Sequence, residues 1–256
     1  MRIQVIGAGV VGQATGKGFA RLGHEVHFYD VQSEVALGLR REGYNADWKL
    51  EVVKADIYFI CTPEDAMKKV LRDWISTIVP SPAVIRSTVL PRTARNLSEE
   101  NHGIHICSNP EFLREAVAEY EFLNPPGIII GECCKPHGDL LESLYEPLRK
   151  PIYRTTCEVA ELTKLAVNGY LACQISYWSQ IKLIADKLKV NSHKVGMLAS
   201  YGDDRVSVYG SRMHGKPYAG KCLPKDLAQL QALADRLGVK GDLLKAIKEI
   251  NDCIRG

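Results

Sequence analysis

The chain has 256 residues, of which 46% are apolar and 25% are charged, and its formal net charge is +3 at pH 7. That length fits one large domain or two modest ones and is enough to bury a substantial core. The mild charge argues against nucleic acid or a membrane surface as a partner, and no apolar run approaches the length of a membrane-spanning helix.

The first thirty residues predict a strand, a glycine-rich turn, a helix and a second strand. The apolar segment RIQVI precedes GAGVVG, which matches GxGxxG, and a helix is predicted from Val10 to Leu22. The second strand, EVHFYD, ends at Asp30, which is expected to bind ribose hydroxyls and repel a 2′-phosphate, so NAD is favoured over NADP. The alternative is a fold of this kind whose pocket is empty or altered.

The turn supplies the predicted contacts with the pyrophosphate. Gly7 permits the tight turn, Gly9 lets the pyrophosphate approach the backbone, and Gly12 lets the helix pack on the strand. Free N–H groups near Val10 and Val11 suit an anion.

Strands and helices continue to alternate after this point. DIYFICTP, AVIRSTV and GIHICSNPEF are predicted strands, EDAMKKVLRDWISTI is a predicted helix, and GIIIG and PIYR are short later strands. This pattern predicts an α/β fold with a doubly wound, mostly parallel sheet. Ligands bind at the carboxyl ends of such strands, where the candidates are Thr62, Thr88, Asn109, Glu111 and Glu115. Each of them is also interpretable as a cap or turn residue.

From about Cys157 the pattern becomes helical. The segment EVAELTKLAVNGYLACQISYWSQIKLIADKL predicts one long helix, expected to span two lobes or to pack against a second subunit. Its predicted buried stripe consists of Val159, Leu162, Ala166, Leu171, Ile175, Trp178, Ile181 and Ile184. Glu161, Lys164 and Asn168 recur at helical spacing, and that spacing alone predicts a solvated stripe.

Two shorter helices and a long loop are predicted beyond it. NSHKVGMLASYG is a helix capped by Asn191 or Ser192, and another helix begins near Pro224 and stops at Gly238, before a final helix. A loop over 203–222 separates them. Its basic residues, which suit a diphosphate, are Arg205, Arg212, His214, Lys216 and Lys221.

Cys222 lies in this loop, just before a helix start, next to Lys221 and close to Lys225. These features favour the thiolate, the nucleophile that covalent catalysis on a carbonyl requires. Asp226 is expected to orient water or accept a proton. Together with a dinucleotide fold, this predicts an oxidation that passes through an aldehyde to a thioester. The alternative is that Cys222 is a small apolar filler.

The other cysteines are interpreted differently. The chain has eight, without a CxxC pair or a Cys/His set at zinc-ligand spacing, so no metal site is expected. Cys61, Cys107 and Cys173 lie in apolar runs and predict a reduced, cytoplasmic protein, in which the seven cysteines besides Cys222 are mostly buried and inert. A cleavable signal is not expected, because the first strand begins at Arg2.

Five segments together resemble the UDP-glucose/GDP-mannose dehydrogenase family: GAGVVG, STVLPRT, SNPEFLREAVAEYEFLNPPGIIIG, AELTKLAVNGYLACQISYWSQI and AGKCLPKD. The resemblance covers nearly the whole chain. It implies a Rossmann NAD-binding domain over 1–155, a helical central domain over 156–256, and oxidation of the C6 alcohol of a nucleotide sugar to a carboxylate with two NAD. The family continues into a further nucleotide-binding domain, whereas this sequence stops at Gly256.

The resemblance also implies roles for single residues. Cys222 resembles the nucleophile, Lys164 and Asn168 the pair that stabilises the oxyanion, and Asp226 and Glu111 the groups that handle water and protons. The implied cofactor contacts beyond the glycine turn and Asp30 are Thr62, Thr88, Glu115 and Lys225. The implied substrate contacts are Glu111, Phe112, Leu113, Arg114, Lys164, Asn168, Tyr218 and Arg205, the last from across a homodimer built on the long helix.

The cysteine loop departs from the family pattern, which is closer to GPGFGGSCFPKD, at Lys216, Pro217, Ala219 and Lys221. Ala219 would disturb a turn that needs a positive φ. Two alternatives also stay open: a two-domain NAD-dependent hydroxyacid dehydrogenase, which has this length and uses a lysine and an asparagine on its central helix, and a catalytically silent NAD-binding dimerisation module.

Overall fold

A computed structural model describes residues 1–49, 53–78, 81–101, 104–203, 205–207, 209–210, 215–220 and 222–255. The chain divides into two compact units, Met1–Lys164 and Leu165–Gly256. The predictions made for Arg212, His214 and Lys221 lie outside the described residues.

The first unit is built on an eight-stranded sheet with the order β3-β2-β1-β4-β5-β6-β7-β8. Its strands are β1 (Arg2–Ile6), β2 (Glu25–Tyr29), β3 (Asn45–Asp47), β4 (Ile57–Ile60), β5 (Ala83–Ile85), β6 (Ile106–Ser108), β7 (Ile128–Glu132) and β8 (Ile152–Thr156). Neighbouring strands run parallel except β6 and β7, which pair antiparallel with Ser108 opposite Gly131. The predicted doubly wound, mostly parallel sheet is confirmed.

The helices of this unit are α1 (Val10–Arg21), α2 (Ser33–Arg41), α3 (Glu64–Ile78), α4 (Thr93–Glu100), α5 (Ala118–Leu123) and α6 (Lys135–Tyr145), and 3₁₀ turns cover Glu115–Val117 and Glu146–Leu148. The sequence analysis did not predict α2, α4, α5 or α6. In α2 only Ala36 and Leu39 are buried, and an apolar face this narrow gives a weak periodic signal.

Two apolar clusters hold the helices against the sheet. Phe59 of β4 belongs to one cluster, with Phe19 of α1, while its neighbours Tyr58 and Ile60 belong to the other, with Met67 of α3. Since side chains alternate along a strand, the two clusters lie on opposite faces of the sheet. A parallel strand covered on both faces is a continuous apolar run, which is why these strands were predictable from the sequence.

The second unit is helical. Its elements are the greater part of α7 (Cys157–Leu188), α8 (Ser192–Gly202), α9 (Cys222–Arg236) and α10 (Asp242–Arg255). The predicted cap of α8 is confirmed, because Asn191 Oδ1 accepts a hydrogen bond from the backbone N–H of Lys194. The predicted start of α9 near Pro224 is wrong by two residues: Cys222 is its first residue, and the proline lies in the first turn, where its missing N–H has no helical partner to lose.

The predicted buried stripe of α7 is wrong for half of its residues. Ile175 and Trp178 are buried, but Val159, Leu162 and Ile184 are between 44% and 52% exposed, and Ala166 is exposed as well. The buried side of the helix instead includes three polar side chains, those of Glu161, Lys164 and Asn168. Within the part of the chain that the structure describes, no helix combines the length and apolar character needed to cross a membrane.

Candidate active site

The glycine turn between β1 and α1 has the geometry that each glycine was predicted to provide. Gly7 has φ +88°, and a Cβ at Gly12 would lie 1.9 Å from the carbonyl oxygen of Gly7. A Cβ at Gly9 would meet no atom within 4 Å, and no side chain caps the start of α1. The first N–H groups of the helix, at Val10 and Val11, are therefore left for an anion that approaches over Gly9.

Asp30 is fixed beside this turn. One carboxylate oxygen accepts a hydrogen bond from the backbone N–H of Ala8 at 2.7 Å, and the other accepts one from Gln32 at 2.9 Å. These contacts hold a negative charge at the carboxyl end of β2. A carboxylate in this position binds a ribose diol and repels a phosphate on it.

The ends of other strands supply further polar groups of the first unit. The hydroxyl oxygen of Thr62, after β4, is buried and lacks a hydrogen-bond partner among the described residues, and Thr88 is half-buried after β5. Glu115 lies on a cavity that is also lined by Val10 and Gln13 of α1. An open helix start, a fixed carboxylate and an unpaired buried hydroxyl at one edge of a parallel sheet fit a bound dinucleotide.

Lys164 and Glu111 form a buried ion pair in the same unit. The ammonium Nζ is 3.3 Å from Oε1 of Glu111, and the two side chains are only 7% and 10% exposed. The other oxygen of Glu111 accepts a hydrogen bond from the backbone N–H of Leu113, and Nζ lies 5.3 Å from the ring centroid of Phe112. The segment EFL thus holds the lysine ammonium in a low-dielectric setting, where a cation acts strongly on a developing negative charge.

Glu161, one turn before Lys164, has a structural role that spacing did not predict. The residue is 2% exposed, and its carboxylate accepts hydrogen bonds from the backbone N–H groups of Arg92 and Ala94, at the start of α4. Burial raises the pKa of this carboxyl to about 7. The solvated stripe predicted for Glu161, Lys164 and Asn168 is therefore wrong, because all three are buried and partnered.

In the second unit, Asn168 and Asp226 form a buried pair. Nδ2 of Asn168 donates to Oδ2 of Asp226 at 2.5 Å, and Nζ of the half-exposed Lys225 is 3.3 Å from Oδ1. Cys222 is exposed, and it precedes Asp226 by one turn of α9. Residues four apart share a face of a helix, so the thiol and the buried amide–carboxylate pair lie on the same side of α9.

The remaining predicted substrate residues are more dispersed. Arg114 is exposed and paired with Glu121, Leu113 packs against the sheet core, and Arg205 is exposed and paired with Asp203. Tyr218 is 3% exposed and belongs to a small apolar cluster of the second unit, where it also lines a cavity, and its contact with the substrate stays a prediction.

The cysteines are less uniformly buried than predicted. Only Cys107 and Cys157 are fully buried, whereas Cys133 and Cys253 are exposed like Cys222. The expectation that the seven other cysteines are mostly buried is wrong, since several follow strand ends or lie on the outer faces of helices. All eight are free thiols, and the cytoplasmic location inferred from them stays a prediction.

Fold and site geometry place the chain in the class of dinucleotide-binding oxidoreductases with a helical second unit. The profile of the UDP-glucose/GDP-mannose dehydrogenase family, NAD binding domain, matches residues 36–149, and that of the family's central domain matches residues 158–253. The chain belongs to this family, and NAD is its cofactor. This membership favours the family's chemistry over the hydroxyacid dehydrogenase alternative.

Individual relatives agree with this assignment. GDP-mannose 6-dehydrogenase of Pseudomonas aeruginosa is 31% identical, and the match covers 98% of this chain and 68% of the relative. UDP-glucose 6-dehydrogenase YwqF of Bacillus subtilis is 28% identical, with coverage of 98% and 66%. The structure of a UDP-glucose dehydrogenase from Pyrobaculum islandicum superposes with a TM-score of 0.89 at 26% identity, covering 98% of this chain and 68% of that one. The chain thus spans about two thirds of the length of these relatives.

Proposed function

We propose that the chain oxidises the C6 alcohol of a nucleotide sugar to the carboxylate through a thioester on Cys222. The observation that carries this proposal is the exposed thiol one helical turn before the buried Asn168–Asp226 pair. The relatives named above are GDP-mannose and UDP-glucose 6-dehydrogenases, which supports a nucleoside-diphosphate sugar as the substrate class.

NAD, when bound, accepts one hydride in each of two oxidations. The first converts the alcohol to the aldehyde, and the sulfur of Cys222 then adds to the aldehyde carbon while the oxygen takes up a proton. Loss of a hydride from that carbon, and of the hydroxyl proton, leaves a thioester. Water then breaks the carbon–sulfur bond and releases the carboxylate and the free thiol. The balance is one alcohol, two NAD and one water to one carboxylate, two NADH and three protons.

The buried polar residues have separate roles in this scheme. Lys164 stabilises the oxyanion that forms at C6, and its burial beside Glu111 makes the ammonium effective there. The amide of Asn168 donates a second hydrogen bond to that oxygen. Asp226 accepts the proton of the attacking water, and Glu111 also relays protons. The further cofactor and substrate contacts that we propose are those of Thr62, Thr88, Glu115, Lys225, Phe112, Leu113, Arg114 and Arg205.

A homodimer through α7 is the second part of the proposal. At 100° per residue, six exposed residues spread along this helix lie within an arc of about 40°. They are Val159, Ala166, Tyr170, Tyr177, Ile184 and Leu188. An exposed apolar line of this length marks an interaction surface, and a helix that presents it along its whole length suits the same helix of a second copy.

Sedimentation of the chain and of Tyr177→Glu tests the dimer. The native chain should sediment as a dimer, and the variant should shift to a monomer because a charge in an apolar interface is costly to bury. Leu243→Glu is the control, since Leu243 is a 65% exposed leucine on α10 that does not belong to the exposed line of α7. A monomeric native chain, or a dimer that Tyr177→Glu leaves intact, contradicts this part of the proposal.

NADH release from a panel of UDP- and GDP-sugars tests the reaction. NAD and the chain are both supplied in excess of the sugar. We expect at least one sugar of the panel to be oxidised, with two NADH released for each uronate formed. Binding of NAD, confirmed by fluorescence titration, without NADH from any sugar would support the silent NAD-binding module instead.

A further inference from the structure

Two cysteines and two histidines lie together at one edge of the sheet. Cys133 and Cys134 follow β7, His137 lies in the first turn of α6, and His105 precedes β6. Because β6 and β7 run antiparallel, the start of one and the end of the other come to the same edge. Since β1 and β6 run in the same direction, this edge is opposite to the glycine turn. The cluster is therefore separate from the cofactor site.

The donor atoms of this cluster are close enough to share one ion. Nδ1 of His137 is 3.1 Å from Sγ of Cys134 and 3.3 Å from Sγ of Cys133, and the two sulfurs are 4.0 Å apart. One ligand atom from each of the four residues lies within 4.8 Å of all the others. A tetrahedral zinc ion with bonds of about 2.3 Å to sulfur and about 2.0 Å to nitrogen separates two sulfurs by about 3.8 Å and a sulfur from a nitrogen by about 3.5 Å. His105, whose ring centroid is 4.7 Å from that of His137, supplies the fourth donor atom.

We propose that Cys133, Cys134, His137 and His105 form a structural Zn²⁺ site. Thiolate and imidazole donors select zinc over magnesium and calcium, and two thiolates neutralise its charge. Four protein ligands leave no open position for substrate, which is the pattern of a structural zinc. The neighbouring carboxylate of Glu132 is taken up by Arg154, at 2.9 Å between Oε2 and Nε.

A further cysteine supports the cluster from the sheet side. The thiol of the buried Cys107 donates a hydrogen bond to Sγ of Cys133 at 3.3 Å, and the backbone N–H of Cys133 donates to Sγ of Cys107 at 3.5 Å. Groups that hydrogen-bond a ligand in this way fix its orientation toward the metal. Cys133 thus has an acceptor sulfur held in place by a residue that is itself packed in the core.

The ion would strengthen the contact between β6 and β7, the antiparallel pair of strands in an otherwise parallel sheet. The β6–β7 ladder has a single registered residue pair, Ser108 with Gly131, whereas the β7–β8 ladder has five. A zinc bound by His105, Cys133 and His137 would connect the chain before β6, the chain after β7 and the start of α6. Metal binding of this kind adds its free energy to folding, because the unfolded chain does not hold the ligands together.

Alkylation of the native chain tests the site without a substitution. The reduced chain is loaded with one equivalent of zinc, treated with iodoacetamide and mapped by peptide mass. Zinc should slow labelling of Cys133 and Cys134 by at least about tenfold, and a chelator should restore it, because a metal-bound thiolate is a poor nucleophile. Cys253 is the internal control, since it is exposed but distant in sequence from the cluster, and its labelling should not respond to zinc. Equal labelling of Cys133 and Cys134 with and without zinc overturns the proposal.

Two variants extend this test. The double variant Cys133→Ser/Cys134→Ser should lose the thiolate-to-metal charge-transfer band of the cobalt-loaded protein, and Cys253→Ser should keep it. His137→Gln preserves both thiols and the helix, so it stays informative if the double variant does not fold. It should weaken zinc binding at least about tenfold and remove the rise in Tm that zinc gives the native chain. Unchanged zinc affinity in His137→Gln, or a native chain that binds no zinc, contradicts the site.

Discussion

The molecule exposes thiols in two contrasting settings. At the start of α9, Cys222 has the buried Asn168–Asp226 pair one turn further along its helix. At the end of β7, Cys133 has sulfur on two sides and the imidazole of His137 within 3.3 Å. Exposure alone therefore does not identify a nucleophile. An amide and a carboxylate beside a thiol can orient water and move protons, whereas thiols and imidazoles around a thiol compete for the same metal ion.

Removal of the Cys222 thiol is expected to have the largest effect, and it tests whether the two settings of exposed thiols differ in function. Cys222→Ala should lower NADH release by at least about a thousandfold, because no other group in the proposed scheme can carry the acyl intermediate. The matched control is Cys253→Ala, another exposed cysteine on a helix of the same unit, which should keep the native rate. A Cys222→Ala variant that forms uronate at the native rate would show that exposed thiols in this chain are not catalytic.

Lys164→Met tests whether the proposed reaction on Cys222 depends on the buried ammonium of Lys164. We expect kcat to fall by about a hundredfold to a thousandfold, the usual effect of losing one oxyanion-stabilising donor. NAD affinity, measured by fluorescence, should stay within about twofold. Lys164→Arg should not restore kcat, since the planar guanidinium is larger than the ammonium that Glu111 and Phe112 hold and presents its charge with a different geometry. A change confined to KM would contradict the assigned role.

The start of α4 differs from that of α9, because its backbone N–H groups are already bound by Glu161. Burial raises the pKa of Glu161 to about 7, so the folded chain holds its proton more tightly than the unfolded chain does. The resulting stability is fully present below about pH 4.5 and is lost as pH rises through about 7, by at most about 3 kcal/mol.

Urea unfolding of Glu161→Gln across this pH range checks the effect. The amide cannot ionise, so the variant's free energy of unfolding should lack the decline that the native chain shows between about pH 4.5 and 7. Parallel pH profiles for the two proteins would mean that Glu161 keeps an ordinary pKa in the folded chain.

Asp30 is expected to give the smallest effect. Asp30→Asn keeps the size of the side chain and one of its two acceptor oxygens, and it removes the charge that disfavours a 2′-phosphate. The preference for NAD over NADP should fall about tenfold, which corresponds to about 1.4 kcal/mol. Fluorescence titration of both dinucleotides measures it, and an unchanged preference would remove Asp30 from cofactor selection.

The parts of the fold that the sequence predicted are those with a local signal. GxGxxG between an apolar strand and a helix, and continuous apolar runs in parallel strands, need no knowledge of distant residues. Burial of Glu161 and Lys164 had no local signal, because their partners at Arg92 and Glu111 come from other segments. Val159, Ala166 and Ile184 of the exposed line on α7 were misassigned as core for a related reason: an apolar stripe has the same period whether it meets its own domain or another chain.

The Cys/His cluster illustrates the same limit. Adjacent Cys133 and Cys134 do not form a CxxC pair, and His105 joins them only because β6 and β7 are antiparallel neighbours. Neither the strand order nor the direction of β7 can be inferred from the residues around the cysteines. Spacing motifs detect ligands that share a loop, and they miss sets that a sheet assembles.

Covalent capture on Cys222 tests the central claim most directly. The native chain is mixed with excess NAD and a nucleotide sugar that yields NADH, quenched in acid during the first turnover, and mapped by peptide mass. The account predicts a sugar acyl adduct on the Cys222 peptide that hydroxylamine removes, together with up to two NADH per chain. Two NADH per chain and free uronate, with the Cys222 peptide unmodified at every time point and in every variant that slows hydrolysis, would contradict it.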